Sequence, residues 1–393
     1  MTQGALTGLR LIEMGQLIAG PFCGQLMGDH GAEVIKIEPP KVGDAMRSWG
    51  QGIPLWFSVV GRNKKSITLN LREKEGQAIV KQLVEKSDFL LENFRAGTME
   101  KWGLDYETLS AINKGLIMIR VSGYGQTGPY SHRAGYGGIG EAMGGMRYII
   151  GEPDRPPSRA GLSIGDSLAA TYACLGGLMA LEHRHKTGEG QVVDSAIYEA
   201  VLANMESTVA EYTVAGHIRE RTGSILPKIA PSNVYPTSDG SILIGGNQDS
   251  VWKRMAAMMG RPELAEDPRY ATHVARGENQ TELDELIMEW TKTIKSQDLL
   301  DMCEEHGVPA GNVYRAPEML ADPHFKAREA LVEMDHPHHE HFVMQNVAPK
   351  LSKTPGHIDS VGPDLGAHNE AVYGELLGMD SAKMKDLQER GII

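Results

Sequence analysis

The first 125 residues alternate short runs of β-branched and aliphatic residues with stretches of helical periodicity. The runs lie at 9–13, 33–38, 66–71, 89–93 and 116–122, and helical patterns at 22–28 and 74–86 lie between them. Strands that alternate with helices of this length form parallel βαβ units. The sequence therefore predicts an α/β layered domain in this part of the chain.

The next segment, 123–159, is crowded with glycine and proline. This composition predicts loops and one short helix lying over the end of the sheet, which is where α/β folds place their sites. A long helix over 166–185, a strand over 191–195 and a helix over 198–215 follow from the hydrophobic pattern. The region 123–159 is thus the first place to look for functional residues.

After about residue 221 the pattern changes. Two strand-like segments at 233–235 and 241–245 flank a Ser-Asp-Gly turn, and helical patterns follow at 250–259, 282–292 and 297–306. This order predicts a smaller α+β domain. The weakly polar stretch 169–181 is shorter than the roughly 20 residues that span a bilayer, so we expect a buried helix there and no membrane association.

Charge and cysteine content limit the function classes. The 39 Lys and Arg against 51 Asp and Glu give a net charge of -12 with no basic run, which argues against nucleic-acid binding. The three cysteines form no CxxC pair, and the N-terminus lacks the basic start and apolar run of a secretory signal. We expect a cytoplasmic protein.

The glycines after the first predicted strand suggest a nucleotide-binding turn. Gly15, Gly20 and Gly24, with Glu38 at the end of the second strand, are arranged like a dinucleotide fold with its ribose-binding acid. The spacing is not GxGxxG, however. The glycines are better explained by a turn and close helix packing, and a nicotinamide cofactor is not favoured.

The histidines at 336, 338, 339 and 341 are spaced closely enough for imidazoles to converge on a metal. They lie with Pro337 in a polar stretch that has no need of a rigid shape. A solvated loop is the favoured interpretation, and no metal site is predicted.

Asp166 has two interpretations. Ser163 with Asp166 three residues later matches a capping box at the start of the long helix. Gly165 exposes the backbone beside the carboxylate, and the preceding Gly- and Pro-rich loops can provide a cleft. An aspartate kept ionised by a helix N-terminus is a competent nucleophile.

The chain resembles the class III coenzyme A transferases (CaiB/BaiF, formyl-CoA transferase-like) along nearly its whole length. The resemblance rests on Ala-Gly-Pro at 19–21, Gly-Tyr-Gly-Gln-Thr-Gly-Pro at 123–129, Gly165 with Asp166, and His-Lys-Thr-Gly-Glu-Gly-Gln at 185–191. Further matches are residues 26–38, 62–67, 92–94 and 133–136, and Gly43 with Asp44 and Arg47. Each is weak alone, but their order and spacing are specific.

The resemblance implies a Rossmann-like large domain built from both chain ends, a smaller α+β domain and an interlocked homodimer. The implied boundaries are 1–200 for the first part of the large domain, 201–225 for a linker and 226–320 for the small domain. A second linker covers 321–340, and 341–393 returns to the large domain.

The resemblance also implies the chemistry. Asp166 would attack an acyl-CoA thioester, and CoA would pass to a small carboxylic acid through an aspartyl anhydride and an enzyme-CoA thioester. No cofactor is bound permanently, because the CoA thioester is itself a substrate. The residues implied to form the CoA groove are Leu17, Ile18, Ala19, Arg47, Leu69, Arg72, Asn93, Phe94, Arg95, Lys101 and Tyr136.

Departures from the family pattern bear on the substrate. Ile18 replaces a glutamine of the formyl-CoA transferases, which does not favour formate and oxalate, and Gly137 follows Tyr136 where relatives have an acid that Glu141 could replace. Similarity to dicarboxylate-using members and the arginines Arg133, Arg155 and Arg159 favour succinyl-CoA and a small di- or hydroxy acid. The alternatives are an α-methylacyl-CoA racemase and a non-catalytic CoA-binding subunit.

Overall fold

The computed structural model describes residues 4–393. Residues 1–3, part of the N-terminus predicted to carry no targeting signal, lie outside this range. The chain forms two units: the first comprises the chain up to Arg147, Ala160–His217 and Lys326–Ile393, and the second comprises Tyr148–Arg159 and Ile218–Phe325. The predicted domain boundaries remain a prediction, and residues 148–159, predicted to be in the large domain, group with the second unit.

Six parallel strands form the sheet of the first unit: β1 (Arg10–Glu13), β2 (Glu33–Glu38), β3 (Lys64–Thr68), β4 (Phe89–Glu92), β5 (Ile117–Ser122) and β6 (Val192–Ala196). Their order is β3-β2-β1-β4-β5-β6, with all neighbours parallel. This is the strand order of Rossmann folds. The predicted α/β class is confirmed.

Helices cover both faces of this sheet, because its strands are apolar on both sides. On β1, Leu11 and Ile12 point into different cores. One core includes Tyr373 and Ile393 from the C-terminal end, so the chain end packs on the first unit. The other core includes α1 (Pro21–Asp29) and α8 (Ile164–Thr187).

The remaining helices of the first unit are short. They are α2 (Trp56–Val60), α3 (Lys74–Val84), α4 (Thr98–Trp102), α5 (Tyr106–Ile112), α6 (Gly137–Met143), α9 (Ile197–Leu202), α10 (Thr208–Ala215), α17 (Ser381–Glu389), a 3-10 helix (Ala45–Ser48) and a π-helix (Glu370–Leu376). The helices α7 (Met146–Ile149) and α16 (Pro323–Ala327) each have residues in both units. A separate hairpin pairs β10 (Leu331–Glu333) with β11 (Val343–Gln345).

The second unit is α+β, as its pattern predicts. The strands β7 (Ser232–Pro236) and β8 (Ser241–Gly245) form the expected hairpin, and β9 (Ala310–Asn312) joins β8 antiparallel. The helices are α11 (Asp249–Met258), α12 (His273–Glu278), α13 (Gln280–Thr291), α14 (Ser296–Glu305), α15 (Ala316–Ala321) and a 3-10 helix (Pro262–Ala265). Trp252 and Tyr235 lie in its core.

Two helix predictions need correction. The single helix predicted over 198–215 is two helices, α9 and α10, because Glu206 adopts a φ of 50° that no continuous α-helix contains. The Gly- and Pro-rich segment 123–159 contains two short helices, α6 and α7, where one was expected.

Helix α8 has two different sides. Ala169, Ala173 and Ala180 are buried against the sheet, whereas Leu175 and Met179 are exposed, Met179 to 63%. Among the described helices α8 is the one long and apolar enough to cross a membrane by length and composition, a test that core helices also pass. The prediction of a buried helix therefore holds for one side of α8 only.

Candidate active site

The carboxyl ends of β1 and β4 lie side by side at the centre of the sheet, where the strand order reverses. The loop after β1 and the loop after β4 meet there through Asn93. Its side-chain oxygen accepts a hydrogen bond from the Gln16 N–H at 2.8 Å, and its side-chain nitrogen donates to the Gln16 carbonyl at 2.8 Å. This is the position at which α/β folds bind their ligands.

A cavity of about 140 Å³ opens at this point, and we call it the aspartate pocket because Asp166 lines it. Asp166 is half-buried in the first turn of α8, where the helix dipole favours a carboxylate. Tyr136, which is 52% exposed, lines the same cavity. The full lining is Gln16, Leu17, Ile18, Ala19, Trp49, Asn93, Val121, Ser122, Gly123, Gly135, Tyr136, Gly137, Asp166 and Ile197.

The Asp166 carboxylate lies directly against the backbone of Gly137. A β-carbon placed on Gly137 would be 2.1 Å from Asp166 Oδ2 and 2.7 Å from Asp166 Cγ. Real β-carbons do not approach other atoms this closely, so any other residue at this position would require the Asp166 side chain to move. The sequence departure at Gly137 is therefore what makes room for the carboxylate in this conformation.

The predicted capping box is wrong. Ser163 is the N-cap residue of α8, but its ψ of 63° is not the extended conformation of a capping serine, and its side chain makes no capping hydrogen bond. Glu141, only 2% exposed, accepts from the Gly165 N–H at 3.4 Å and pairs with Arg147 at 2.9 Å. Glu141 thus supports the residue before Asp166. No sequence signal pointed to Arg147.

A second cavity, of about 670 Å³, adjoins the aspartate pocket at Gln16, which lines both. We call it the outer cavity. Arg72 and Lys41 are exposed at its wall and supply positive charge that phosphate groups require. Its lining is Met14, Gln16, Ile37, Glu38, Pro39, Pro40, Lys41, Val42, Leu69, Asn70, Leu71, Arg72, Phe94, Thr98, Trp102 and Gly391. It contains the predicted CoA residues Leu69, Arg72 and Phe94, and Lys41 was missed.

The Arg47 guanidinium already makes its contacts with other groups of the protein. Its guanidinium donates two hydrogen bonds of 2.7 Å to Glu38 and one of 3.0 Å to the Pro363 carbonyl, and it stacks 3.7 Å from the Phe57 ring centre. Burial raises the pKa of Glu38, but the Arg47 hydrogen bonds and the charges of Lys36 and Arg47, with the Ser66 hydrogen bond, hold it below its usual range. The geometry favours a structural role for Arg47, and Glu38 is not available as a ribose ligand.

Arg95 and Lys101 are also outside both cavities. Arg95 is exposed and donates to the His132 carbonyl at 2.6 Å, and Lys101 is exposed on α4. Their predicted CoA contacts remain predictions that this geometry does not favour.

The histidine cluster does not form a metal site among residues 4–393. The ring of His336 packs against His338 and His339, and its two nitrogens bond to the Ser58 hydroxyl at 3.0 Å and the His338 N–H at 3.1 Å. Burial and the neighbouring histidines lower the pKa of His336. Both nitrogens of the His336 ring therefore already take part in hydrogen bonds within the protein.

Comparison with known proteins decides the family. The sequence model of the family described as "CoA-transferase family III" matches residues 6–369 of the chain. The chain belongs to this family. It is 58% identical over 393 residues to succinyl-CoA–D-citramalate CoA-transferase of Chloroflexus aurantiacus, covering 99% of this chain and 98% of that protein. It is 41% identical over 396 residues to the succinyl-CoA–L-malate CoA-transferase beta subunit of the same organism, covering 99% and 98%.

A solved structure agrees with this CoA transferase throughout its length. A CaiB/BaiF family protein from Brucella suis superposes with a TM-score of 0.85 and 36% identity, covering 96% of this chain and 100% of that one. The enzyme is therefore a family III CoA transferase whose substrate is a CoA thioester.

Proposed function

We propose that the enzyme moves CoA from succinyl-CoA to a small di- or hydroxy acid, with Asp166 as the nucleophile. The observation that supports this most directly is the Asp166 carboxylate, which lies in a small pocket joined at Gln16 to a larger cavity with two cations. The relatives named for succinyl-CoA and for citramalate or malate support the choice of substrates.

The reaction proceeds through two kinds of covalent intermediate on Asp166, an anhydride that forms twice and a CoA thioester that forms once. A carboxylate oxygen attacks the thioester carbonyl, CoA leaves as the thiolate, and an aspartyl-succinyl anhydride forms. The thiolate attacks the aspartyl carbonyl, succinate leaves, and Asp166 becomes a thioester of CoA. The acceptor carboxylate attacks this thioester and CoA leaves; the thiolate then attacks the acceptor's acyl carbonyl, which restores Asp166.

The sizes of the two cavities suit these partners. The outer cavity, of about 670 Å³, is in the usual range for ligand pockets of roughly 300–1,000 Å³, and it has room for much of a CoA molecule. The aspartate pocket, of about 140 Å³, suits only a small acid. Both intermediates hydrolyse readily, so a small pocket with little room for water protects them.

The α-methylacyl-CoA racemase alternative requires a catalytic base beside the thioester, and the aspartate pocket has no histidine to serve as one among the described residues that line it. Proton abstraction beside the thioester needs a histidine or similar group within reach of the α-carbon. Among the described residues no histidine lines the aspartate pocket, and His132 lies outside it. The geometry therefore supports acyl transfer over epimerisation.

A matrix of acyl-CoA donors and carboxylic acids tests the substrate assignment. With succinyl-CoA we expect a new acyl-CoA from citramalate or malate, and little product from formate, when the mixtures are read by mass spectrometry. Samples without acceptor measure the hydrolysis background. If no donor and acid pair yields transfer above this background, the proposed function is wrong.

We also propose that the enzyme is a homodimer. The outer side of α8 carries the exposed apolar side chains Tyr172, Leu175 and Met179, and Val209 and Tyr212 are exposed on α10. Exposed apolar side chains grouped on a helix face are typical of protein interfaces. The interlocked arrangement that the resemblance implies would cover such a surface.

We expect light scattering to give twice the 42.8 kDa chain mass, unchanged on dilution to nanomolar protein. Met179→Glu places a charge in the proposed interface and should produce monomer or aggregate, whereas Lys186→Glu on a polar part of the same helix should not. A wild-type mass of 42.8 kDa at micromolar concentration would contradict the dimer.

We propose a cytoplasmic location for the enzyme. Its three cysteines are free thiols, and Cys23 and Cys303 are buried. Free thiols are typical of a reducing compartment.

A further inference from the structure

The loop at residues 15–18, which follows β1, borders both cavities. Gln16 lines both, and Leu17 and Ile18 line the aspartate pocket opposite Asp166. Leu17 has a φ of 63°, a conformation that an L-residue with a branched side chain rarely adopts unless the surroundings impose it. The question is therefore what holds this loop.

Two buried charged side chains hold the loop at residues 15–18 in place. The Lys36 ammonium donates to the Gly15 carbonyl at 2.7 Å, and Asp44 accepts from the Leu17 N–H at 3.1 Å. Lys36 and Asp44 are 2.9 Å apart and form an ion pair, and each is 1% exposed. Neither residue lines either cavity, so neither touches the substrate.

Lys36 and Asp44 belong to a larger cluster of buried charged side chains. Glu13 pairs with Lys36 at 3.2 Å and with Lys64 at 2.7 Å, and burial together with the Lys36 charge lowers the pKa of Lys64. Burial opposes ionisation of Asp44, but the Lys36 charge and its hydrogen bonds hold the pKa of Asp44 below its usual value. Burial also opposes the charge on Lys36, yet Glu13 and Asp44 raise the pKa of Lys36. Both groups are charged at neutral pH.

We propose that Lys36 and Asp44 are positioning residues that fix the loop at residues 15–18 and thereby keep water out of the aspartate pocket during CoA transfer. The inference rests on the proposed function of Asp166, because it is the hydrolysable intermediates on Asp166 that need this protection. Lys36 fixes the carbonyl at the start of the loop and Asp44 fixes the Leu17 N–H. Removing Lys36 leaves Asp44 buried without its cation, and removing the Asp44 charge leaves Lys36 with Glu13 as its ion-pair partner, so either change weakens the hold on the loop.

The proposal predicts a change in what the enzyme makes, beyond a loss of stability. A displaced loop admits water, and water competes with CoA and the acceptor acid for the acyl group on Asp166. For Asp44→Asn and for Lys36→Gln we expect transfer turnover to fall about 10- to 100-fold, as small misplacements of active-site walls do. We expect the ratio of acyl-CoA hydrolysis to transfer to rise at least about tenfold, and KM for the donor to change less.

The matched control is Asp29→Asn. Asp29 pairs with Arg62 at 2.5 Å, and both are no more than 2% exposed. Asp29 precedes β2 and Arg62 precedes β3, whereas the loop at residues 15–18 follows the carboxyl end of β1. Loss of the ion pair between Asp29 and Arg62 should lower the melting temperature but leave the hydrolysis-to-transfer ratio at the wild-type value. Both products are measured in one sample of each purified full-length variant, with acyl-CoA species read by mass spectrometry and free thiol by a colorimetric reagent.

The outcomes are distinct. If Asp44→Asn loses stability as Asp29→Asn does and keeps the wild-type ratio, the pair only stabilises the fold and the proposal is overturned. If Asp44→Asn does not fold, Lys36→Gln, which keeps a donor for Gly15, is read in the same way. Failure of the wild-type enzyme to transfer CoA at all would instead remove the proposed function on which the inference rests.

Discussion

Asp166→Asn is expected to abolish CoA transfer, with turnover falling at least about 10⁴-fold, because a neutral amide cannot attack a thioester and form an anhydride. The substitution keeps the size of the side chain and its position in the first turn of α8. We therefore expect an unchanged far-ultraviolet spectrum, an unchanged oligomeric mass and a shift of only a few degrees in melting temperature.

Asp105→Asn is the matched control for a purely structural role. Asp105 is a true helix cap, because its carboxylate accepts from the Thr108 N–H at 2.9 Å. Asparagine caps helices about as well as aspartate, so this variant should stay folded and fully active. Activity near the wild-type level in Asp166→Asn would make Asp166 a structural residue and leave the proposed mechanism without its nucleophile.

Chemical trapping extends the same test. Hydroxylamine added after succinyl-CoA should convert the acylated Asp166 to a hydroxamate, and borohydride should reduce its CoA thioester to the alcohol. Peptide mass spectrometry then finds the modification at Asp166 in the wild type and not in Asp166→Asn. A modification at another residue would assign the nucleophile there.

Gly137→Ala should also be strongly damaging, with turnover reduced about 100-fold or more, because the new methyl group would lie 2.1 Å from Asp166 Oδ2 and must displace the carboxylate. Gly137 is the first residue of α6, and its φ is not in the left-handed region. Alanine favours helix over glycine by up to about 1 kcal/mol, so stability should be kept. Activity would be lost without loss of fold.

Gly138→Ala is the control one residue along the same helix. Its added methyl group would meet only the end of the flexible Arg147 side chain, at 3.3 Å. Turnover should change less than about threefold, because the Arg147 side chain needs to move by only a few tenths of an ångström to make room. Equal turnover in Gly137→Ala and Gly138→Ala would show that the carboxylate position seen here is not the reactive one.

The sequence predicts those features that depend on local patterning. The alternation of apolar runs and helical patterns is enough to find β1 to β6, because each strand and helix is marked by residues adjacent in the chain. The strand order, and hence the meeting of Gln16 with Asn93, depends on pairing between distant segments that no local pattern records.

In the candidate site, too, the sequence predicts single residues but not the contacts between residues distant in the chain. The resemblance drew attention to Asp166, but the contact between Asp166 and Gly137 joins residues 29 positions apart and becomes visible only in three dimensions. Arg47 was expected to bind CoA from its position in a motif. Its pairing with Glu38 depends on how the chain after β2 folds back, so the sequence could not exclude an occupied guanidinium.

The lining of the aspartate pocket has a consequence for the order of events. Among the described residues of the protomer, Asp166 is the only charged side chain that lines it. A free acid that meets the ionised Asp166 would be repelled by a like charge, whereas conversion of Asp166 to a CoA thioester, as in the proposed mechanism, would remove that charge. The repulsion would then be absent when the acceptor acid enters. This change in charge thus favours an ordered reaction in which the donor reacts with the enzyme before the acceptor acid binds.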